Sequence, residues 1–328
     1  MNDHYYLEDV DRSESVEGFY LLADASIRVS RNDSPYLYAR VTDITGSMDA
    51  VFWNYTGDMD ENCKGEIVYI RAVGGVYNGK IQLVLSEIRF PTAEESALQV
   101  DLDEIIPNAG QSHSQLLDEL KRVMDQIEDE DCRNIYEYIC RKYGSLVWTM
   151  PASDGRHHSF VHGWLTHTVD MLRAAEHVAR VYEHVDRDLL LTGVFLHDVG
   201  KFRLFELSKF GLVTGYTAEG LLLGHPVMGV LEIQEAASGC DVPKEKVTLL
   251  IHMVLTAHSG PERGGSIEPA FPEAYILAQL NQMDIGLDQY GEAMGKLNSG
   301  EFSAFIHGLD RRVFCRDYLS MIGREGQV

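Results

Sequence analysis

One stretch constrains this chain more than any other: Leu189-Leu-Leu-Thr-Gly-Val-Phe-Leu-His-Asp-Val-Gly-Lys-Phe202, where an imidazole and a carboxylate adjoin at the end of an apolar run. Leu190, Leu191, Val194 and Phe195 mark the buried face of a short helix, and His197 and Asp198 fall three and four residues beyond Val194 on that face. Two polar groups aimed into a core cost roughly several kcal/mol unless something satisfies them, and one bound cation would satisfy both. Gly200 is expected to end the helix with positive φ, and Lys201 sets a positive charge beside the pair. A His-Asp dipeptide alone is more often a hydrogen-bonded core pair than a metal site. The reading therefore depends on the groups that accompany it.

Several do. His167 lies between Trp164 and Met171 on an apolar stripe that continues through Thr168, Leu172, Ala175 and Val178. His225, in Leu223-Gly-His-Pro226, precedes a proline suited to the first position of a helix, which fixes the histidine at a helix start. Asp284 is four residues beyond Leu280 and seven beyond Leu277, on the buried stripe of a third helical segment. A distal histidine is supplied by His258 or His252. They are six residues apart, about 240° around a helix, and cannot share a face. His258, followed by Ser-Gly-Pro, is preferred because it can turn inward from a helix end.

The order His, His-Asp-x-Gly-Lys, Gly-His, distal His and late Asp resembles that of the HD-domain metal-dependent phosphohydrolases. More narrowly, His157-His-Ser-Phe-Val-His-Gly-Trp-Leu-Thr-His167, Asp186-Arg-Asp-Leu-Leu190, Phe205-Glu-Leu207 and Tyr216-Thr-Ala-Glu-Gly-Leu-Leu-Leu-Gly-His225 resemble the YhaM-type 3′-to-5′ exoribonucleases, over residues 18 to 290 or so. Where that family has Ser-His-His-Gly, this chain has Thr256-Ala-His-Ser-Gly260, with Ala257 in place of the first histidine.

The resemblance implies a metal set of His167, His197, Asp198, His225, His258 and Asp284, with Asp198 and Lys201 catalytic. His167, His197, Asp198 and Asp284 would hold one ion, and Asp198 would bridge to a second held by His225 and His258. Mixed imidazole and carboxylate donors suit manganese, iron, cobalt or zinc, and two such ions activate a water and steady the leaving oxygen of a phosphodiester. The loop carrying Arg156, His157 and His158 would line the substrate entrance, with Lys201 on a phosphate oxygen.

From residue 18 to 90 the pattern is of short β runs, at 19–29, 36–41, 49–53, 66–73 and 80–85, with Asn78-Gly79 as a hairpin turn between the last two. Five such strands suit an OB-like barrel, an architecture that binds single strands. Tyr36, Tyr38 and Trp53 are its candidate stacking faces. Of Phe52 and Trp53, alternation must bury one. Residues 1–17 read as a loosely attached acidic arm and 91–113 as a linker. Residues 114–328 read as an all-α HD-domain bundle in which the first two helices are structural, residues 202–220 form a loop or small hairpin, and an amphipathic stretch runs through Phe302, Phe305, Ile306, Leu309 and Val313.

Composition sets the limits. With 51 acidic against 28 basic side chains, the formal charge of −23 opposes binding nucleic acid by bulk attraction. Any such substrate must be held by a local groove and a metal centre, weakly and with strong salt dependence. No apolar run is long enough to cross a bilayer and no basic-then-apolar leader opens the chain. The five cysteines are scattered without a CxxC spacing. A cytoplasmic protein is expected, with homo-oligomerisation left open.

The expected activity is stepwise hydrolysis of single-stranded RNA, with DNA a further substrate, from the 3′ end to nucleoside monophosphates. The alternatives are an HD-domain phosphohydrolase of a small nucleotide, which the acidic charge favours, and a nucleic-acid-binding module without catalysis.

Overall fold

Alternation decides the N-terminal third of the chain. Along β2 (Pro35–Asp43), Leu37, Ala39 and Val41 are buried while Tyr36, Tyr38 and Arg40 face outward. The same alternation in β1 (Ser15–Val29), β3 (Gly46–Trp53), β4 (Ile67–Tyr77) and β5 (Lys80–Arg89) gives five ribbons with one apolar face each. They close in the order β1-β2-β3-β5-β4, with a short parallel pairing of β3 to β5 completing the barrel. The long β1 serves two neighbours, pairing with β4 up to Leu21 and with β2 from Leu21 onward. A register shift between Leu22 and Asp24 provides the bend that closure requires. Asn78 and Gly79, at φ 50° and 77°, form the two-residue turn of the β4–β5 hairpin, as their sequence predicts. This computed structural model of the chain describes residues 4–30, 32–92, 95, 105, 113–154, 161–208, 211–258, 267–295 and 297–316.

The expectation of a loose arm over residues 1–17 does not hold for its described part. Leu7 and Val10 are buried in the barrel core beside Tyr20 and Leu22, and Leu7 donates its N–H to the buried Asp43 carboxylate at 2.7 Å. Asp43 also accepts from the N–H of Thr45 at 2.8 Å, so one carboxylate fastens the first segment to the β2–β3 turn. Two isolated apolar residues in an acidic stretch show no periodicity, which is why their role as a plug was not legible.

The remainder is helical: α1 (His113–Met124), α2 (Glu130–Tyr143), α3 (Leu146–Thr149), α4 (Gly163–Val181), α5 (Arg187–Leu196), α6 (Lys201–Leu204), α7 (Ala218–Cys240), α8 (Lys244–Thr256) and α9 (Pro272–Gly295). A small hairpin of β6 (Phe205–Leu207) and β7 (Val213–Tyr216) separates α6 from α7. Asp129, Asp186 and Thr217 accept backbone N–H groups at the starts of α2, α5 and α7. α5 is buried on every side from Leu189 to Leu196 rather than along one face, because it forms the centre of the domain. Trp164 packs edge-on against Phe195 and tilts over Phe202, tying α4, α5 and α6 together. After α9, residues 302–314 pair through isolated bridges, Phe302 with Phe314 and Ile306 with Arg311, instead of continuing as an amphipathic element.

Barrel and helices meet on the outside of the β1–β4 pair. Leu21 and Ile67, opposite one another in the sheet, pack on Ile105 and Leu212. Gly65, at φ 81°, approaches the hairpin so closely that a Cβ would lie 2.8 Å from that of Ser208, and Lys64 pairs with Asp154 at 3.6 Å.

Leu7→Ala removes a plug rather than part of a tail. It is expected to lower the unfolding free energy by about 2–5 kcal/mol in urea titration, as for other buried leucines, where an arm free of the barrel would give no change.

Candidate metal centre

The centre is built on the last turn of α5. His197 follows the helix immediately, and its Nδ1 donates to the Val194 carbonyl at 2.7 Å, one of the helix-terminal carbonyls that lack an intrahelical partner. A carbonyl only accepts, so Nδ1 carries a hydrogen and Nε2 is the atom turned toward the centre. α4 brings in His167, fully buried, whose Nδ1 lies 2.6 Å from Oδ2 of Asp284 on α9. The carboxylate places the hydrogen of His167 on Nδ1 in the same way. Its Nε2 then faces that of His197 at 3.2 Å, with Oδ2 of Asp198 3.8 Å from the first and 3.3 Å from the second.

The other oxygen of Asp198 has its own pair. α7 is broken at Gly224, at φ 73° and ψ 156°, and Pro226 starts its second half, as the sequence predicted. The break turns His225 inward until its Nε2 is 3.5 Å from Oδ1 of Asp198. His258, two residues past the end of α8, places its Nε2 3.3 Å from the same oxygen and 2.9 Å from Nε2 of His225. His252 is directed elsewhere: its Nε2 accepts from the Ala270 N–H at 3.0 Å and its ring lies against Phe271. Of the two candidates for the distal position, the structure brings His258 to Asp198.

Two groups of three donors thus share one buried carboxylate, His167, His197 and Asp198 on one side and Asp198, His225 and His258 on the other, each set within 4.8 Å of one another. Asp284 contacts the far nitrogen of His167 and is not among the three ligand atoms of the first group. Lys201, also buried, places Nζ 2.6 Å from Oδ2 of Asp198.

Gly200 departs from expectation. Its φ is −61°, within the right-handed helical range. A Cβ there would fall 2.0 Å from the His225 carbonyl oxygen and 2.6 Å from the Gly229 nitrogen, so the residue is glycine because α7 crosses it at backbone contact.

The electrostatics suit a cation. Burial holds the His167 ring down to about 4 and the His225 ring to about 3, and lowers that of His258 as well. Burial pushes the Asp198 carboxyl up, but the charges of His197 and Lys201 and the hydrogen bonds of His197 and His258 outweigh it and hold the group well below the usual carboxylate range. Two imidazole nitrogens and an ionised oxygen gather within a few ångströms, a set that an ion among them would coordinate. The donor set fits a borderline transition ion. His167, His197 and Asp198 would hold it.

A family model for the HD domain matches residues 164–285, from α4 to α9. A helicase model, TraI_2, matches residues 108–184. The 3′-5′ exoribonuclease YhaM of Bacillus licheniformis is 32% identical over 303 residues, spanning 92% of this chain and 94% of the relative. YhaM of Bacillus subtilis is 30% identical over 303 residues, spanning 92% and 94%. YhaM of Listeria monocytogenes is 33% identical over 310 residues, spanning 94% and 97%. The chain belongs to the YhaM family.

Ala257 is fully buried at the end of α8, in the apolar core. The neighbouring Asn281, which the sequence reading missed, contacts both the Ala257 carbonyl and the Nδ1 of His258 at 3.0 Å. Its signal was available: Asn281 is four beyond Leu277 and three before Asp284, on the buried stripe of α9.

On the barrel, Tyr36 and Trp53 are cross-strand partners on the outer face, with ring centroids 4.9 Å apart, and the Arg28 guanidinium lies 3.6 Å over the ring of Tyr38. Phe52 joins the barrel core, as alternation required. Arg156, His157 and His158 lie outside the described residues.

Gly200→Ala forces α6 and α7 apart; dialysis against manganese is expected to show at least a tenfold weaker site, with an accompanying loss of thermal stability. In the metal-free protein, stability is expected to fall as pH drops from about 6.5, where unfolded histidine takes its proton, to about 4, where buried His167 does. The unfolded chain binds more protons throughout that window, so the sign is fixed. Urea midpoints measured across it provide the test.

Proposed function

We propose that this chain is a metal-dependent 3′-to-5′ exoribonuclease that hydrolyses single-stranded RNA to nucleoside monophosphates. The observation that carries the reading is the sharing of one buried carboxylate, Asp198, between two sets of imidazoles, in a chain whose relatives are named 3′-5′ exoribonucleases over nine-tenths of its length.

His167, His197 and Asp198 would hold the first ion, with manganese, iron, cobalt or zinc the candidates. The second oxygen of Asp198, with His225 and His258, forms a second pole, less buried than the first, that would hold a further ion. An ion bound at such a site lowers the pKa of a coordinated water and draws charge from a phosphoryl oxygen. The chain's residues do the rest. Asp198 would align the two poles, and the ammonium of Lys201, 2.6 Å from Oδ2 of Asp198, is the group that would meet charge growing on a phosphate oxygen. No side chain need act as nucleophile. Tyr36, Tyr38 and Trp53, with Arg28 over Tyr38, form a stacking surface on the barrel that tolerates any base.

The charge of −23 is the observation that favours the second reading, a phosphohydrolase of small nucleotides. A 5′-labelled RNA, the equivalent DNA and free nucleotides, each incubated with manganese, separate the readings. A ladder shortening from the 3′ end is expected for RNA, abolished by Asp198→Ala. Turnover of free nucleotides alone would overturn the assignment. A strand-binding measurement checks the barrel: Trp53→Ala is expected to weaken binding of a single strand by about 1–3 kcal/mol while leaving manganese binding unchanged.

A further inference from the structure

The core anchors α7 on one side of its break and not on the other. Beyond Gly224 the helix buries Met228, Ile233, Ala236 and Ala237, and Gly229 lies against Gly200. Among residues 218–223, Gly220 alone is buried, while Leu221, Leu222 and Leu223 are exposed. Gly224 lies outside the helical φ/ψ range and Pro226 has no N–H to give, so the helical ladder does not set the angle between the halves. That angle decides where His225, between these two residues, is directed.

Polar contacts from α6 supply what the core does not. Thr217, which caps the first half, donates its hydroxyl to the Arg203 carbonyl at 2.8 Å and its N–H to the Leu204 carbonyl at 3.0 Å. The Arg203 side chain then forks. Nη2 donates to Glu219 in the first half, and Nη1 donates to Glu232 in the second at 3.0 Å. Glu232 is fully buried and is held again by Nζ of Lys142, on α2, at 2.6 Å.

We propose that Arg203 is a positioning residue: its two-pronged grip on Glu219 and Glu232 fixes the angle of α7 at Gly224 and so holds His225 at Asp198, assembling the second pole. This rests on the reading of the centre as metal-binding and names the residue that sets half of its geometry.

The shape of the cation matters. A guanidinium is planar and presents its nitrogens in a fixed fork, so one residue can hold two carboxylates at a set separation. An ammonium is a point charge, and the buried Glu232 would keep it and release Glu219. The Arg203–Glu219 contact is partly exposed on both sides, at 32% and 44%. Pairs of that kind add little to stability, so its loss should turn the first half of α7 without unfolding the domain. The same short helix carries Lys201, whose Nζ meets Oδ2 of Asp198. One element thus registers both the lysine and His225 to the shared carboxylate.

The test uses the full-length protein. In the metal-free state, carbon–proton correlations of the histidine rings are recorded, with His225→Gln assigning its signal. Glu219→Ala and Arg203→Lys should each displace and broaden the His225 signal while those of His167 and His197 stay in place. Manganese titration by calorimetry should then show the second ion weakened by about tenfold or more, with the first unchanged. Glu235→Ala removes a pair with Lys142 that lies wholly beyond the break, and it should alter neither reading. Thermal unfolding checks the fold of each variant. An unmoved His225 signal in Glu219→Ala, or equal weakening of both ions, would overturn the proposal. A native protein that binds no manganese would defeat the metal reading, whereas the ring signals decide the role of Arg203 without an ion.

Discussion

Everything in the helical domain depends on keeping an ionised carboxylate in a place where water cannot reach it. Asp198 is fully buried, and its charge is tolerable only because four imidazoles and a lysine converge on it from α4, α5, α7, α8 and the short α6. Each element must end or bend where it does for that convergence to occur. α5 stops one residue early, so His197 can use a spare carbonyl, and α7 breaks at Gly224 to admit His225. Gly200 has no side chain because two backbones have to touch there. The costs of these irregularities are met by the apolar packing around them, which is nearly continuous from Trp164 to Leu280.

Much of this was legible in the amino-acid order, for a reason that can be stated locally. Polar residues on an apolar stripe are conspicuous, and His167, His197, Asp198 and Asp284 were found by that rule alone. Alternation with an Asn-Gly turn located the strands, and a proline after His225 located the start of a helix. What escaped notice was whatever depends on distance across the fold. Gly200 reads as a helix stop in sequence, and only the crossing of α7 shows that its role is clearance. Asp284 faces inward in sequence, and only the fold shows that it meets Nδ1 of His167. Asn281 sits on the same stripe, but its contact with His258 depends on α9 meeting the end of α8. Leu7 and Val10 carry no pattern at all, and their burial is visible only once the barrel has an open end to fill.

The relation between the two domains follows the same economy. The outer surface of the β1–β4 pair turns Leu21 and Ile67 toward the helices, while the β2–β3 surface leaves Tyr36, Tyr38 and Trp53 exposed or half-buried. A strand with two apolar faces is thereby explained: its inward residues fill the barrel and one outward pair docks it. The acidic balance of the chain is then less of an obstacle than its sum implies, since aromatic faces grip bases without regard to net charge and the cationic groups that matter are placed one by one.

Closure of the barrel rests on one short parallel pairing, Ala50 with Leu83 and Val51 with Val84, while the other four strand contacts are long. The outward side chains of β2 and β3 stand on the same ribbons whose inward residues fill the core, so changing them one at a time would remodel that surface without disturbing the interior.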